Sequence, residues 1–475
     1  VREIKGGTEN GALYYALQIL GLNLASGEVG VRLLPAVGGI LALPLMALTG
    51  YLLRGRLVAL GATFLLAVSP LHVYYSREGR PYYLLLALAL LLLFTLLLKG
   101  SRTGVWMAYA CCLVGAYVGI QTLPTLLSFA LLSGIGLGWS RRDGQVLRKS
   151  PYLHYLAAAI LALGLSFGLY LSRSKVNLPI RGGDDQQHGL QQSFGEESAG
   201  GEALYESPLS PGNRRKLLSS MTTSGHPSVL VGGRSWALLA LSLTGLVFGA
   251  LRQPREIVAT AGMFALPVAL SLTALEWTGR WYNVSYTSAG LPAFLLLVAL
   301  GVAGIAEVAS RIVGDGRHQT AGNLLKWVTA VALLLVLAGP NLSAARTDPQ
   351  RKADWRGVAE FFDAVALEDE PILVANIWPQ ICLNHYLQDR RRSVEFVNLW
   401  ESAKVAEQAV AARSRGWLLT AGFQKSNDAR AWMHQFVPVL KQREEELALF
   451  FFPVFVTLLE TRFAAGKGAV FEQQF

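Results

Sequence analysis

Apolar residues fall in long blocks along this chain, separated by short connectors that hold most of the charge. The blocks run Leu33–Leu53, Leu57–Tyr74, Tyr82–Leu98, Val105–Ile120, Leu123–Trp139, Tyr152–Leu171, Trp236–Leu251, Ile257–Leu275, Leu291–Ala309 and Leu325–Leu337. Most approach the roughly 20 residues that a helix needs to cross a bilayer, so the pattern predicts about ten spans. The shorter blocks can also be read as broken or re-entrant helices, although polar connectors on both sides favour spanning. Ala12–Leu24 is too short and too mildly apolar to cross, and reads as a helix lying in the interface.

After residue 340 the pattern changes. Long apolar runs give way to shorter segments with more charge, in the order expected of an α/β domain. ADWRGVAEFFDAVAL has apolar positions at helical spacing, and PILVANI reads as a buried strand. SAKVAEQAVAARSR and NDARAWMHQFVPVL read as further helices. Leu447–Glu460 is a core strand or an interfacial element. The expected architecture is therefore a polytopic α-helical membrane region over residues 1–340, holding a long polar loop at 172–234, followed by a small soluble α/β domain over 341–475.

Composition agrees with the pattern. The chain is 52% apolar and only 16% charged, against about 25% charged in soluble domains. Its net charge of +10 calls for no nucleic-acid partner, because the basic residues fall where topology signals fall. Arg54/Arg56, Lys99/Arg102, Arg141/Arg142/Arg148/Lys149, Arg252/Arg255 and Arg311/Arg317/Lys326 occupy alternate connectors, which the positive-inside rule makes cytoplasmic. Tyr75–Pro81, the 172–234 loop, Glu276–Ala289 and the domain after 340 then face the other side. Arg77 and Arg80 stand on that side against the trend, so they are candidates for function.

Three cysteines, Cys111, Cys112 and Cys382, form neither a disulfide framework nor a metal-ligand spacing. His188, His226, Asp184 and Asp185 share the long loop without any familiar ligand pattern. His72 closes an apolar run and reads as an interfacial histidine. No repeat is visible among the spans, and ionisable residues gather at span ends, unlike the repeated halves and mid-bilayer polar breaks of many transporters.

Four stretches in series carry a resemblance: ENGALYYALQILGLNLASGEVGVRLLPAVGGILALPLMALTGYLL, SPLHVYYSREGRPYYLLLALALLL, GRWYNVSYTSAGLPAFLLLVALG and KADWRGVAEFFDAV. Together they resemble the bacterial GT-C membrane glycosyltransferases related to protein O-mannosyltransferases and aminoarabinose transferases, across most of the chain. The resemblance implies a GT-C fold in a bacterial inner membrane. It also implies transfer of a sugar from a polyprenyl-phosphate donor to a lipid, glycan or protein acceptor, on the extracytoplasmic face and among membrane lipids.

It implies site roles as well. Arg77, Arg80 and Arg280 would hold the donor phosphate, which suits the planar guanidinium fork. Glu9, Asn10, Tyr82 and Tyr282 would line the donor or acceptor. Glu78 is the remaining acidic candidate for catalysis, as a proton acceptor or a ligand of Mg or Mn beside the phosphate. No certain cofactor follows. Asp354, Trp355 and Arg356 match the family's Asp-Trp-Arg signature at the head of its soluble tail, read as structural. The family's catalytic aspartate follows its first span, and no such motif occurs here; both are expected upstream of Val1. A transporter or flippase, or a non-catalytic membrane scaffold, are the rival readings.

Overall fold

In the computed structural model, the described residues are 12–25, 27–78, 82–99, 104–118, 122–144, 150–175, 233–278, 284–313, 319–347, 355–365, 372–374, 383, 386–387, 394–396, 415–421, 454–460 and 471–474. The chain divides into two compact units, residues 1–225 with 229–344, and residues 226–228 with 345–475.

The first unit is helical. Its helices are α1 (Ala12–Leu24), α2 (Gly27–Arg54), α3 (Arg56–Ala67), α4 (Pro70–Glu78), α5 (Tyr82–Leu98), α6 (Gly104–Val118), α7 (Leu123–Arg142) and α8 (Pro151–Lys175). From residue 233 onward come α9 (Gly233–Ala250), α10 (Pro254–Thr278), a 3-10 helix (Val284–Gly290), α11 (Leu291–Val313) and α12 (Gln319–Thr347). Among the described residues six helices are long and apolar enough to cross a membrane, or seven if α3 and α4 count as one bent span. Most carry broad apolar faces in the open, with Ile40, Leu161, Val247 and Val336 all more than half exposed. Soluble monomers rarely expose contiguous apolar surface of that extent, so these faces belong against lipid. The protein is a multi-pass membrane protein.

Each of the ten expected blocks coincides with a helix among the described residues, although some of these helices are short or broken. Leu57–Tyr74, expected as one run, is interrupted after Ala67, and α3 and α4 meet at a bend of 62°. Pro70 opens α4 and brings no backbone N–H to continue the ladder from α3. The described parts of α5, α6 and α9 that are apolar, Leu85–Leu98, Gly104–Val118 and Trp236–Ala250, are each shorter than a full span. At the other end, α12 continues through Pro340 to Thr347, past the expected boundary.

One span is unlike the rest. In Thr287–Ile312, 94% of the apolar window is buried inside the protein, against 22–50% in the other spans. This central helix, α11, packs on α3, α9 and α10. Its fit to α9 depends on glycine: a Cβ on Gly301 would overlap the Leu241 carbonyl oxygen, and one on Gly245 would overlap that of Leu297. Small residues thus let two backbones touch, the usual way helices gain contact area in lipid. Aromatic rings fill another seam, where Phe129 on α7 stacks on Tyr155 of α8 at 5.4 Å and meets Phe94 of α5 edge-on at 6.1 Å. Several buried hydroxyls bond within their own helix, as Thr49, Thr95 and Ser133 each donate to the carbonyl four residues back.

The second unit contains α13 (Trp355–Val365) and five strands: β1 (Ile372–Val374), β2 (Val394–Phe396), β3 (Arg415–Ala421), β4 (Val454–Glu460) and β5 (Phe471–Gln474). They form one sheet in the order β2-β1-β3-β4-β5. β1 runs parallel to both neighbours, with Ile372 opposite Val394 and Trp417. β3, β4 and β5 pair antiparallel, with Leu418 opposite Thr457 and Val456 opposite Gln473. Val358, Ala359 and Phe362 bury one face of α13. The ambiguous Leu447–Glu460 segment resolves, in its described part, as strand β4. The helices expected at SAKVAEQAVAARSR and NDARAWMHQFVPVL lie outside the described residues, apart from Arg415, which opens β3.

Candidate functional site

The helical unit has two chemically distinct ends, and the ion pairs define the first. Glu307 near the end of α11 accepts Arg54 from the end of α2 at 2.9 Å, Arg252 from the α9–α10 turn at 3.0 Å and Arg311 one turn on at 2.7 Å. The Arg54 and Arg252 guanidiniums also lie over the Phe248 ring, at 4.9 and 5.1 Å from its centre. Phe248 in turn sits against Gly304, where a Cβ would stand 3.0 Å from the ring. Gly55, with φ 81°, makes the left-handed turn between α2 and α3 beside this group. Two further pairs join the same end: Arg255 forks onto Asp143 with two 2.8 Å hydrogen bonds, and Lys99 meets Glu256 at 3.1 Å.

Members of all five basic connectors singled out by the positive-inside rule have thus appeared in contact or in neighbouring turns, since Arg141 and Arg142 directly precede Asp143. The carboxylates that bind them went unnoticed in the sequence. Glu307 does carry a signal, as a lone acid within an apolar block.

The Arg255 hydrogen bonds hold the Asp143 carboxyl below the ordinary carboxylate range. A lowered folded-state value means that the pair stabilises the protein above the unfolded value of about 4, and that this contribution fades as pH falls through the folded value. Arg255→Gln is therefore expected to lower the unfolding temperature at neutral pH, with the difference from wild type shrinking in acid. Melts of both proteins across that range check this; a difference that grows in acid would contradict it.

The opposite end is located by helix lengths. Gly39 of α2 packs directly on α4: His72 Nε2 lies 3.2 Å from its carbonyl oxygen, and a Cβ at this position would overlap Ser76 Oγ. Ser76 itself donates to the His72 carbonyl at 2.7 Å. His72 is buried within the helical unit. At 1.5 Å per residue, Gly39 stands about 22 Å along α2 from Arg54. By the same measure Tyr82 lies about 25 Å along α5 from Lys99, and Leu291 about 24 Å along α11 from Glu307. The 3-10 helix before Leu291 packs against α5 and α10. The end of α4, the start of α5, the end of α10 and the 3-10 helix therefore share the end of the unit away from the ion pairs.

These helix ends flank the residues expected to bind a donor. Arg77, Glu78 and Tyr82 belong to α4 and α5 by backbone. Arg80, Arg280, Tyr282, Glu9 and Asn10 lie outside the described residues, as do Cys382, Asp354, His188, His226, Asp184 and Asp185. Trp355 begins α13, and Arg356 on it is exposed. Cys111 and Cys112 are free thiols on α6. Among the described residues no three His, Cys, Asp or Glu side chains converge as metal ligands would.

No family model matches the sequence, and no curated protein matches it. Among solved structures, the chain is similar to ArnT from Cupriavidus metallidurans in the apo state, at 11% identity and a TM-score of 0.47, over 96% of this chain and 88% of that one. It is also similar to the same protein bound to undecaprenyl phosphate, at 13% identity and a TM-score of 0.47, over 87% and 83%. A third similarity is to the Archaeoglobus fulgidus oligosaccharyltransferase in the apo form, at 13% identity and a TM-score of 0.43, over 87% of this chain and 61% of that one.

Proposed function

We propose that this chain is a GT-C type membrane glycosyltransferase that moves a sugar from a polyprenyl-phosphate carrier to a lipid, glycan or protein acceptor. The end carrying the ion pairs is then cytoplasmic, and residues 341–475 belong on the extracytoplasmic side of a bacterial inner membrane. The observation that carries the reading is the convergence of two stretches distant in sequence. The described elements that border SREGRPYY and GRWYNVSY in sequence, namely α4, α5, α10 and the 3-10 helix, end on the side of the bundle away from the ion pairs, where the positive-inside trend leaves arginine unexplained.

In the mechanism this supports, an acceptor hydroxyl displaces the carrier phosphate at the anomeric carbon, with inversion of configuration. Arg77, Arg80 and Arg280 would stabilise charge on the departing phosphate, which grows as the bond breaks. Glu78 would accept the hydroxyl proton, or ligate Mg or Mn at the phosphate. Tyr82, Tyr282, Glu9 and Asn10 would line the donor or acceptor.

The direct test incubates membranes carrying the full-length gene product with a panel of radiolabelled polyprenyl-phosphate sugars. Transfer of label from one of them into lipid, glycan or protein is the expected outcome. Movement of carrier across the bilayer without transfer would replace this reading with that of a flippase.

A further inference from the structure

The ion-pair end carries more positive charge than its own carboxylate neutralises. Arg54, Arg252 and Arg311 share Glu307 among the described residues, leaving two positive charges in excess. Each guanidinium has five N–H donors in a fixed fork, of which these contacts use only one or two. Beside Arg54 and Arg252 lies a shallow, open hollow of about 400 Å³, lined also by Tyr51, Gly55 and Gln253 among others. Stacking of Arg54 and Arg252 on Phe248 keeps both guanidiniums in place without an added anion, so the site is organised in advance.

The surroundings decide what kind of anion suits it. Within two turns of the arginines, Leu48 and Tyr51 on α2, Val247 and Leu251 at the end of α9, and Ile312 on α11 are exposed, Leu251 by 80%. A free phosphate ion has no use for such a flank, whereas acyl chains do. Basic pockets between membrane helices at the cytoplasmic surface suit anionic headgroups in this way.

We propose that Arg54, Arg252 and Arg311 form a binding site for the phosphate of an anionic glycerophospholipid, whose acyl chains lie along the exposed faces of α2 and α9. This inference needs only a membrane-embedded bundle and stands apart from the glycosyltransferase reading. It assigns the site to the end of the unit remote from the expected sugar donor. Glu307 acts there as a spacer that holds three mutually repelling cations in one cluster until a headgroup adds the missing negative charge.

Full-length protein is purified with mixed phosphatidylglycerol and phosphatidylcholine, then diluted, and the lipids that remain bound are counted by native mass spectrometry. Phosphatidylglycerol is expected to be retained over phosphatidylcholine. Arg252→Gln and Arg311→Gln should each lower its retention about fivefold, the equivalent of about 1 kcal/mol for a basic residue at an anionic surface. The Arg311 side chain is 65% exposed, so its variant is expected to fold normally, as its melting temperature will show. Equal retention of the two lipids, or retention of phosphatidylglycerol that neither variant changes, would overturn the proposal. Displacement of the lipid by inorganic phosphate would overturn the lipid assignment and leave a soluble anion in its place.

Discussion

Gly301→Val is expected to be the most damaging single substitution in the helical unit, costing about 3 kcal/mol or more, the upper range for forced overpacking. Its Cβ has no free volume, because the Leu241 carbonyl oxygen already occupies that position. The obstacle is backbone on both sides, so no rotamer change relieves it. α9 would have to withdraw from α11, the helix on which the unit is built. That withdrawal would also separate Phe248 from Gly304 and draw Arg252 away from Glu307. Gly245→Val should act similarly from the opposite face, since it meets the Leu297 carbonyl. By contrast, Gly134→Val and Gly164→Val, where a Cβ meets nothing within 4 Å, should cost little beyond helix propensity. Denaturant or thermal unfolding in detergent compares the four variants. If the two pairs behave alike, the packing of α9 on α11 described above is wrong.

Arg80→Ala and Arg280→Ala are expected to lower sugar transfer by about a hundredfold or more each, the usual cost of removing one preorganised donor from a developing anion. The reason is electrostatic: a leaving phosphate at a bilayer surface has few competing water contacts, and arginine supplies charge with a fork that matches its oxygens. Arg80→Lys should recover only part of the rate, because it keeps the charge and loses the fork. Label transfer from the preferred donor into acceptor, measured with matched protein amounts, decides the matter. Unchanged rates in both alanine variants would remove Arg80 and Arg280 from the phosphate role while leaving the fold untouched.

The sequence was informative about which segments are helical, because burial in lipid imposes an apolar block on every helix that crosses. The start of α5 at Tyr82 and of α7 at Leu123 were read where they occur. It was less informative about continuity. Leu57–Tyr74 is apolar on average, and hydropathy cannot see the 62° bend between α3 and α4; Pro70 was the available signal. Glu307 was passed over because one carboxylate in a long apolar block barely changes its average, although its three arginine partners were all identified as topology signals.

The donor-binding candidates were legible as residue types at span ends, and as matches to a family pattern. Their grouping was not. The alternation of basic connectors put Tyr75–Pro81 and Glu276–Ala289 on one side of the membrane, but it could not tell that α5, α10 and the 3-10 helix pack on one another there. By itself, then, the sequence determined that this is a multi-pass membrane protein, which connectors carry the basic charge, and where arginine stands against that trend. Tertiary structure alone decided that α11 is the buried axis, that glycines let α9 touch it, and that Arg54, Arg252 and Arg311 meet at Glu307. The physical reason is that lipid selects each helix for apolarity separately, whereas close backbone packing and ion pairing depend on which helices become neighbours.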